Sequence, residues 1–159
     1  MPNWVNNVYT IVGPENRVKE FRDNARGTDC GDDTRDYEFS FNQLIPLPDG
    51  DCGLVAQRRD WGIKWGSTTD NVTIHNESRV TYRYDTAWCI GAKFHDALSA
   101  KYPELYLFLS AQEEDSQRIR AVWHKGELVW KTGWERFDYD ECPEGTDEDD
   151  WYEQQHEHC

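Results

Sequence analysis

The stretch LYLFL, at residues 105–109, is a continuous run of apolar and aromatic side chains. Such a run predicts a central β-strand that other parts of the protein cover on both faces. Near the start of the chain, VYTIV at residues 8–12 is β-branched and aromatic, which favours a second strand. Beyond LYLFL, residues 118–124 and 127–131 flank a Lys-Gly dipeptide and predict a tight hairpin.

Two helices are predicted between these strands. The first follows Pro14 and runs over residues 15–26, because proline suits the start of a helix and apolar side chains recur there at helical spacing. The second begins at Asp85 or Thr86, either of which can act as its N-cap, and it ends before Pro103.

The remaining elements complete a predicted α+β fold. YEFSF at residues 37–41 alternates aromatic and polar side chains and predicts a strand that pairs with RVTYRY at residues 79–84. Residues 71–76 are a weaker strand, and residues 49–70 form an irregular excursion with one helical turn near residues 55–59. This order predicts a ferredoxin-like βαββαβ sandwich with an added C-terminal β-hairpin and an acidic tail.

Charge is distributed unevenly along the 159 residues, which suffice for one domain of ordinary size. The net charge is −14, and residues 135–159 contain eleven acidic side chains against one arginine. We therefore expect a nearly balanced domain at residues 1–134, followed by an acidic C-terminal tail at residues 135–159. Negative charge disfavours direct binding to nucleic acid, because that affinity depends on Lys and Arg. Acidic segments suit basic protein surfaces instead.

The acidic tail contains a candidate docking segment for a partner protein. Carboxylates there adjoin two aromatic side chains, in the run Asp147, Glu148, Asp149, Asp150, Trp151 and Tyr152. Trp and Tyr contribute much of the binding energy at interfaces, and a segment that only increases solubility has no need of them. The predicted partner is a protein with a basic surface, such as a groove that normally holds nucleic acid. The alternative is a solvated tail that aids solubility.

A second candidate site lies in DWGIKWG, at residues 60–66. Trp61 and Trp65 are four positions apart, so a helical turn would place both rings on one face beside Lys64. Together with Trp88, these side chains could stack on a base or nucleotide and contact its phosphate. The alternative is structural: the two rings pack the excursion against the sheet, and the glycines allow tight turns.

Catalytic and cofactor motifs are absent from the sequence. It contains no GxSxG, P-loop, GxGxxG or HExxH pattern, so neither enzyme activity nor a cofactor is predicted. His75, His95 and His124 occur singly and are expected to be surface or strand residues rather than catalytic bases. The terminal run HEHC has metal-ligand residue types, but an acidic chain end rarely holds a preorganised site, so no metal is predicted.

The five cysteines show no CxxC spacing, and no signal peptide follows Met1. Reduced thiols in the cytoplasm are therefore expected. No apolar run reaches the roughly 18 to 20 residues that a membrane-spanning helix needs, so no contact with a membrane is predicted.

Four motifs occur in register along residues 1–112 and resemble one known family. They are MPNW at the start, with Asn7 shortly after, FSFNQLIPLP at residues 39–48, WGIKW at residues 61–65 and YDTAW at residues 84–88. This series resembles the YubB-like family of plasmid and phage proteins. The resemblance implies a ferredoxin-like domain in a mobile-element protein that binds host factors or counters host defence. The Cys-Ile-Gly run after Trp88, the terminal hairpin and the tail depart from the family pattern.

Together these features predict a non-enzymatic accessory protein of a phage or plasmid, acting in the cytoplasm of a bacterial host. It would bind and inhibit a host protein, such as a defence or nucleic-acid-processing factor, through its acidic surface. The alternative is a small-ligand or nucleotide-binding module centred on Trp61, Lys64 and Trp65. A third possibility, binding of single-stranded nucleic acid on the sheet, is disfavoured by the negative charge.

Overall fold

The computed structural model describes residues 4–30, 32–63, 66–114 and 118–133. Its strands are β1 (Trp4–Val12), β2 (Gly27–Asp29), β3 (Asp32–Tyr37), β4 (Thr68–Asn76), β5 (Arg79–Ala87), β6 (Tyr106–Glu113), β7 (Arg118–His124) and β8 (Glu127–Gly133). Its helices are α1 (Glu15–Ala25), α2 (Phe41–Leu44), α3 (Leu54–Trp61) and α4 (Ala92–Lys101). Within these ranges, no helix combines the length and the apolar character that crossing a membrane requires.

Six of these strands form one antiparallel sheet, in the order β4-β5-β1-β6-β7-β8. The first strand of the chain lies inside this sheet: Tyr9 is opposite Tyr82 of β5 on one side and opposite Leu109 of β6 on the other. The short strands β2 and β3 pair with each other in a separate sheet. The molecule is therefore organised around a broad antiparallel sheet.

Many of the predicted elements are confirmed. They are the strands near residues 8–12, 71–76, 79–84, 118–124 and 127–131, the helix near residues 15–26 and the helical turn near residues 55–59. The predicted hairpin turn has Lys125 at φ 53° and Gly126 at φ 80°. A turn whose two central residues have positive φ has a twist that matches that of the flanking strands. The Lys-Gly dipeptide therefore forms a tight hairpin turn here.

The predicted ferredoxin-like βαββαβ sandwich is wrong, because residues 37–41 do not form a strand of the main sheet. β3 ends at Tyr37, and α2 begins at Phe41 with Ser40 as its N-cap, whose Oγ accepts a hydrogen bond from the Gln43 amide at 3.1 Å. β5 therefore pairs with β1 and β4 and not with this segment. The described part of the chain is β-rich, with eight strands and four short helices.

The second helix also begins later than predicted. Asp85 and Thr86 belong to β5, and α4 begins at Ala92, directly after Gly91 in the left-handed conformation at φ 74°. The Thr86 hydroxyl donates a hydrogen bond to the Cys89 carbonyl at 2.7 Å and caps no helix. The two residues expected to cap the helix thus lie at the end of β5.

One face of the main sheet, the inner face, packs against the helices and carries an aromatic core. Phe94 of α4 stacks on Phe41 of α2 with ring centroids 3.8 Å apart, and Phe39 stacks on Tyr84 of β5 at 4.6 Å. Phe21 of α1 reaches the same cluster, with its centroid 6.4 Å from that of Phe39. Helices from three parts of the chain therefore cover the same side of the sheet.

A disulfide joins Cys30, just after β2, to Cys52, just before α3, with the two Cα atoms 5.2 Å apart. The expectation of reduced thiols is wrong for this pair. Cys89 is buried outside this disulfide, and its Sγ donates to the Gly62 carbonyl at 3.1 Å. Disulfide connectivity cannot be read from spacing alone, and these cysteines lie 22 positions apart.

Candidate functional site

The apolar run at residues 105–109 is covered on only one of its two faces. In β6, Leu107 and Leu109 are buried on the inner face, whereas Tyr106 and Phe108 are 46% and 42% exposed on the other face. The prediction that both faces of this strand are covered is therefore wrong. Because the helices pack against the inner face, aromatic side chains on the opposite side remain in contact with solvent.

The register of the strands groups apolar side chains on this opposite side. Phe108 lies between Thr10 of β1 and Val122 of β7, and Val122 is opposite Trp130 of β8, which is 52% exposed. A shallow depression of about 210 Å³ lies among these side chains. We call this surface the outer face and define its centre by Val8, Thr10, Tyr106, Phe108, Arg120, Val122 and Trp130.

One aromatic ring of the outer face is held in a fixed orientation. Tyr106 stacks on His124 of β7, with ring centroids 3.9 Å apart and ring planes 1° from parallel. His124 Nδ1 lies 3.0 Å from the carbonyl oxygen of Leu105, which fixes the imidazole in turn. A side chain that is already immobilised loses little conformational freedom when a partner binds, so this pair is a preorganised contact.

The outer face is basic, although the chain as a whole carries a net charge of −14. Strand alternation places four arginines on it: Arg79, Arg83, Arg118 and Arg120. Asp85 and Glu127 are the carboxylates of the same side, and Asp85 accepts a hydrogen bond from Asn6 Nδ2 at 2.5 Å. Arg83 and Arg118 donate to the neutral side chains of Thr73 and Gln112. Across the described ranges, none of the four arginines forms an ion pair.

The structure places Trp61 of the second candidate site in the core. Its side chain has no exposed surface, its Nε1 donates to the Ile45 carbonyl at 2.9 Å, and its ring lies edge-on to Phe41 at 5.6 Å. A base could not stack on this ring without displacing core side chains. The geometry of Trp61 therefore favours the structural alternative, and Lys64 and Trp65 lie outside the described residues.

The structure brings the turn after the YDTAW motif against residues 61–63 of the WGIKW motif. Trp88 is only 9% exposed and has φ 64°, and the turn that follows it contacts the end of α3. A Cβ atom on Gly91 would lie 2.7 Å from Ile63 Cγ2 and 2.8 Å from the Trp61 carbonyl oxygen. This close approach allows no side chain at position 91, so the turn after Trp88 packs directly against Trp61 and Ile63.

The predicted docking segment of the tail lies outside the described residues. This applies to Asp147, Glu148, Asp149, Asp150, Trp151 and Tyr152. Their role in binding a partner stays a prediction, as does the division into a domain at residues 1–134 and a tail at residues 135–159.

A cleft of about 390 Å³ beside the disulfide has polar walls that are already engaged within the protein. Asp29 accepts hydrogen bonds from the backbone amides of Cys30, Phe41 and Asn42, although burial raises the pKa of its carboxyl group above the usual value. Ser67 Oγ donates to the Phe39 carbonyl at 2.5 Å. These groups fix the loops around α2, which makes the cleft a structural feature and a weak candidate for ligand recognition.

No cluster of three or more metal-ligating side chains occurs among the residues that the structure describes. The ion pairs there are dispersed rather than clustered, as in the pair of Lys19 with Asp23, four positions apart on α1. The outer face is therefore the strongest candidate functional site in this part of the chain.

Comparisons with known proteins support the fold. No family model and no curated protein matches the chain. The crystal structure of protein api92 from Yersinia pseudotuberculosis, assigned to family DUF1281, is similar, with a TM-score of 0.66 and 8% sequence identity. The match covers 87% of this chain and 100% of that one. At this identity the similarity shows a shared fold alone.

Proposed function

We propose that this chain is a non-catalytic binding protein that recognises a partner protein through the outer face of its sheet. The observation that carries this proposal is the exposure of Tyr106, Phe108 and Trp130 on a face that also presents four arginines without ion-pair partners in the described residues. Trp, Tyr and Arg are the side chains that contribute most of the binding energy at protein interfaces. Contiguous exposed apolar patches of this kind typically mark interaction sites.

The side chains of the outer face indicate what kind of partner surface can bind to it. An apolar centre at Phe108 and Trp130 needs an apolar patch on the partner, and the arginines around it need carboxylates. Five spacings of about 4.8 Å make a six-stranded sheet roughly 24 Å wide, which approaches the width of a standard interface burying about 800 Å² per partner. The partner surface is therefore a protein surface that is apolar at its centre and acidic at its rim.

The biological setting of this binding is a further part of the proposal. The motif resemblance to YubB-like proteins supports a protein of a phage or plasmid that inhibits a host protein by occupying it. The acidic tail would then supply a second contact, to a basic region of the same partner. Arginines on the sheet and carboxylates in the tail would recognise opposite charges, so the two contacts can be tested separately.

Affinity capture from a bacterial lysate tests the proposal when four forms of the protein are compared. They are the full chain, Phe108→Thr combined with Arg120→Glu, Lys19→Glu as a control, and a form lacking residues 135–159. Lys19 is exposed on α1, on the other side of the sheet, so Lys19→Glu changes the net charge as much as Arg120→Glu without touching the outer face.

We expect a captured protein whose recovery falls at least tenfold with the outer-face variant and stays unchanged with Lys19→Glu. The same ratio should then hold for the dissociation constants measured with that purified protein. Equal recovery with both variants would exclude the outer face as the interface. Tight, salt-sensitive binding of a labelled (dT)20 oligonucleotide that Phe108→Thr abolishes would assign the face to single-stranded nucleic acid instead.

A further inference from the structure

On β1, β5 and α4, four buried polar atoms lack a hydrogen-bond partner among the described residues. They are Asn7 Oδ1, Tyr9 Oη, Tyr84 Oη and His95 Nδ1. Buried polar atoms in native proteins are nearly always paired, with protein groups or with ordered water. Such a group of atoms therefore calls for a physical account of what pairs with them.

These side chains belong to one region of the inner face. Asn7 and Tyr9 alternate on the same side of β1, and Tyr84 of β5 is directly opposite Asn7. The ring centroid of Tyr9 lies 6.4 Å from that of Tyr84 and 4.7 Å from that of His95 in α4. Tyr9 therefore contacts both the second phenol ring and the imidazole ring of α4.

The donor and acceptor roles of these atoms follow from their neighbours. His95 Nε2 lies 3.1 Å from the Ile90 carbonyl oxygen, and because a carbonyl only accepts, Nε2 carries the hydrogen. In the neutral ring, Nδ1 is then an acceptor. Asn7 Nδ2 donates to the Val5 carbonyl and to Thr86 Oγ1, both at 2.9 Å, which leaves Asn7 Oδ1 as a second acceptor. The two phenol hydroxyls supply donors.

We propose that an ordered water molecule binds in the core between Tyr9, Tyr84 and His95. Water accepts two hydrogen bonds and donates two. It would accept from the two phenol hydroxyls and donate to His95 Nδ1, and its second hydrogen is available for Asn7 Oδ1. Internal waters in proteins typically make about three hydrogen bonds to buried polar groups that are otherwise unpaired, which is the arrangement here.

A crystal structure of the full chain at a resolution that shows ordered water tests this site directly. The expected result is a density peak that lies about 2.6 to 3.2 Å from at least three of the four polar atoms. Absence of a peak between Tyr9, Tyr84 and His95 in a well-ordered core would overturn the proposal. This measurement uses the wild-type protein and so does not depend on the folding of a variant.

Thermal unfolding of Tyr84→Phe gives a second test, because the melting temperature should change in opposite directions in a hydrated and in a dry core. If water is bound, removing the hydroxyl deletes one of its partners, and the melting temperature should fall by about 2 to 6 °C. In a dry core the same change removes an unpaired polar atom and should raise the melting temperature, which would contradict the proposal. Tyr82→Phe, two positions earlier on the same strand, is the matched control, since its hydroxyl is not among the unpaired atoms.

Discussion

His95 behaves in this core as an uncharged aromatic side chain. It is fully buried, and its ring lies 4.7 Å from those of Tyr9 and Trp123. Burial lowers the pKa of His95 from 6.5 to about 3, because the charged imidazolium cannot be solvated there. The expectation that this histidine is a surface or strand residue is wrong, since it lies on the buried side of α4.

The depressed pKa of His95 predicts a loss of stability in acid. Between the unfolded pKa of 6.5 and the folded value of about 3, the unfolded chain binds the proton and the folded chain does not. The free energy of unfolding should therefore fall as the pH decreases below 6.5, by up to about 1.4 kcal/mol per pH unit from this group. Urea unfolding between pH 7 and pH 4 measures the slope.

His95→Phe isolates this contribution, because it removes the titrating group and keeps an aromatic ring. The raised pKa of Asp29 acts in the opposite direction, since its folded carboxyl holds a proton more readily, but it is common to both proteins. The variant should therefore show a shallower decline of stability in acid than the wild type. Parallel pH profiles would show that His95 is protonated as easily in the folded chain as in the unfolded one.

At the scale of secondary-structure elements, local pattern predicted most strands but not which faces are covered. Alternation and β-branched content identified residues 8–12 and 118–124 because these signals arise within a few residues. Which faces of residues 105–109 are buried depends on where helices from distant parts of the chain pack. The local sequence does not determine this. The same alternation, once the helices are placed, puts Tyr106 and Phe108 on the outer face.

The misassigned segment at residues 37–41 shows why pattern alone can fail. Both Phe39 and Phe41 are fully buried, as the strand prediction required, but they enter the core from a loop and a short helix. The Phe39 amide donates to Asp70 Oδ2 at 2.6 Å, and Ser40 caps α2. Side-chain oxygens accept the hydrogen bonds of these backbone amides, so the amides need no neighbouring strand as a partner.

The disulfide predicts a dependence of stability on redox conditions. Cys30 and Cys52 are 22 positions apart, and a cross-link that closes a loop of this length contributes about 3 kcal/mol by restricting the unfolded chain. Reduction with dithiothreitol should therefore lower the midpoint of urea unfolding of the wild type. The reduced protein should then unfold at the midpoint of the Cys30→Ser/Cys52→Ser variant.

The double variant also provides the control, because it has no cross-link at this position to reduce. Its unfolding midpoint should be the same with and without dithiothreitol. If the wild-type midpoint does not respond to the reductant either, and a maleimide reagent labels two more thiols in the folded wild type than in the double variant, then Cys30 and Cys52 are not linked in solution.

At the scale of the whole molecule, negative charge is concentrated beyond the described sheet. Residues 135–159 carry eleven of the acidic side chains, while the outer face presents four arginines. If residues 1–134 form an independent domain, deleting residues 135–159 should leave the melting temperature within about 2 °C of the wild-type value. Circular dichroism during heating measures it. A form that fails to unfold cooperatively would show that the tail belongs to the folded domain.

The central position of β1 in the sheet determines the order in which the molecule can be assembled. Among the strands of this sheet, β1 is synthesised first, whereas its neighbours β5 and β6 follow it by about 70 to 100 residues along the chain. Pairing between distant segments slows folding to milliseconds or longer, and an unpaired strand is prone to misassociation during that time. Both backbone edges of β1 are therefore paired only after β5 and β6 have been synthesised, and β6 ends at Glu113.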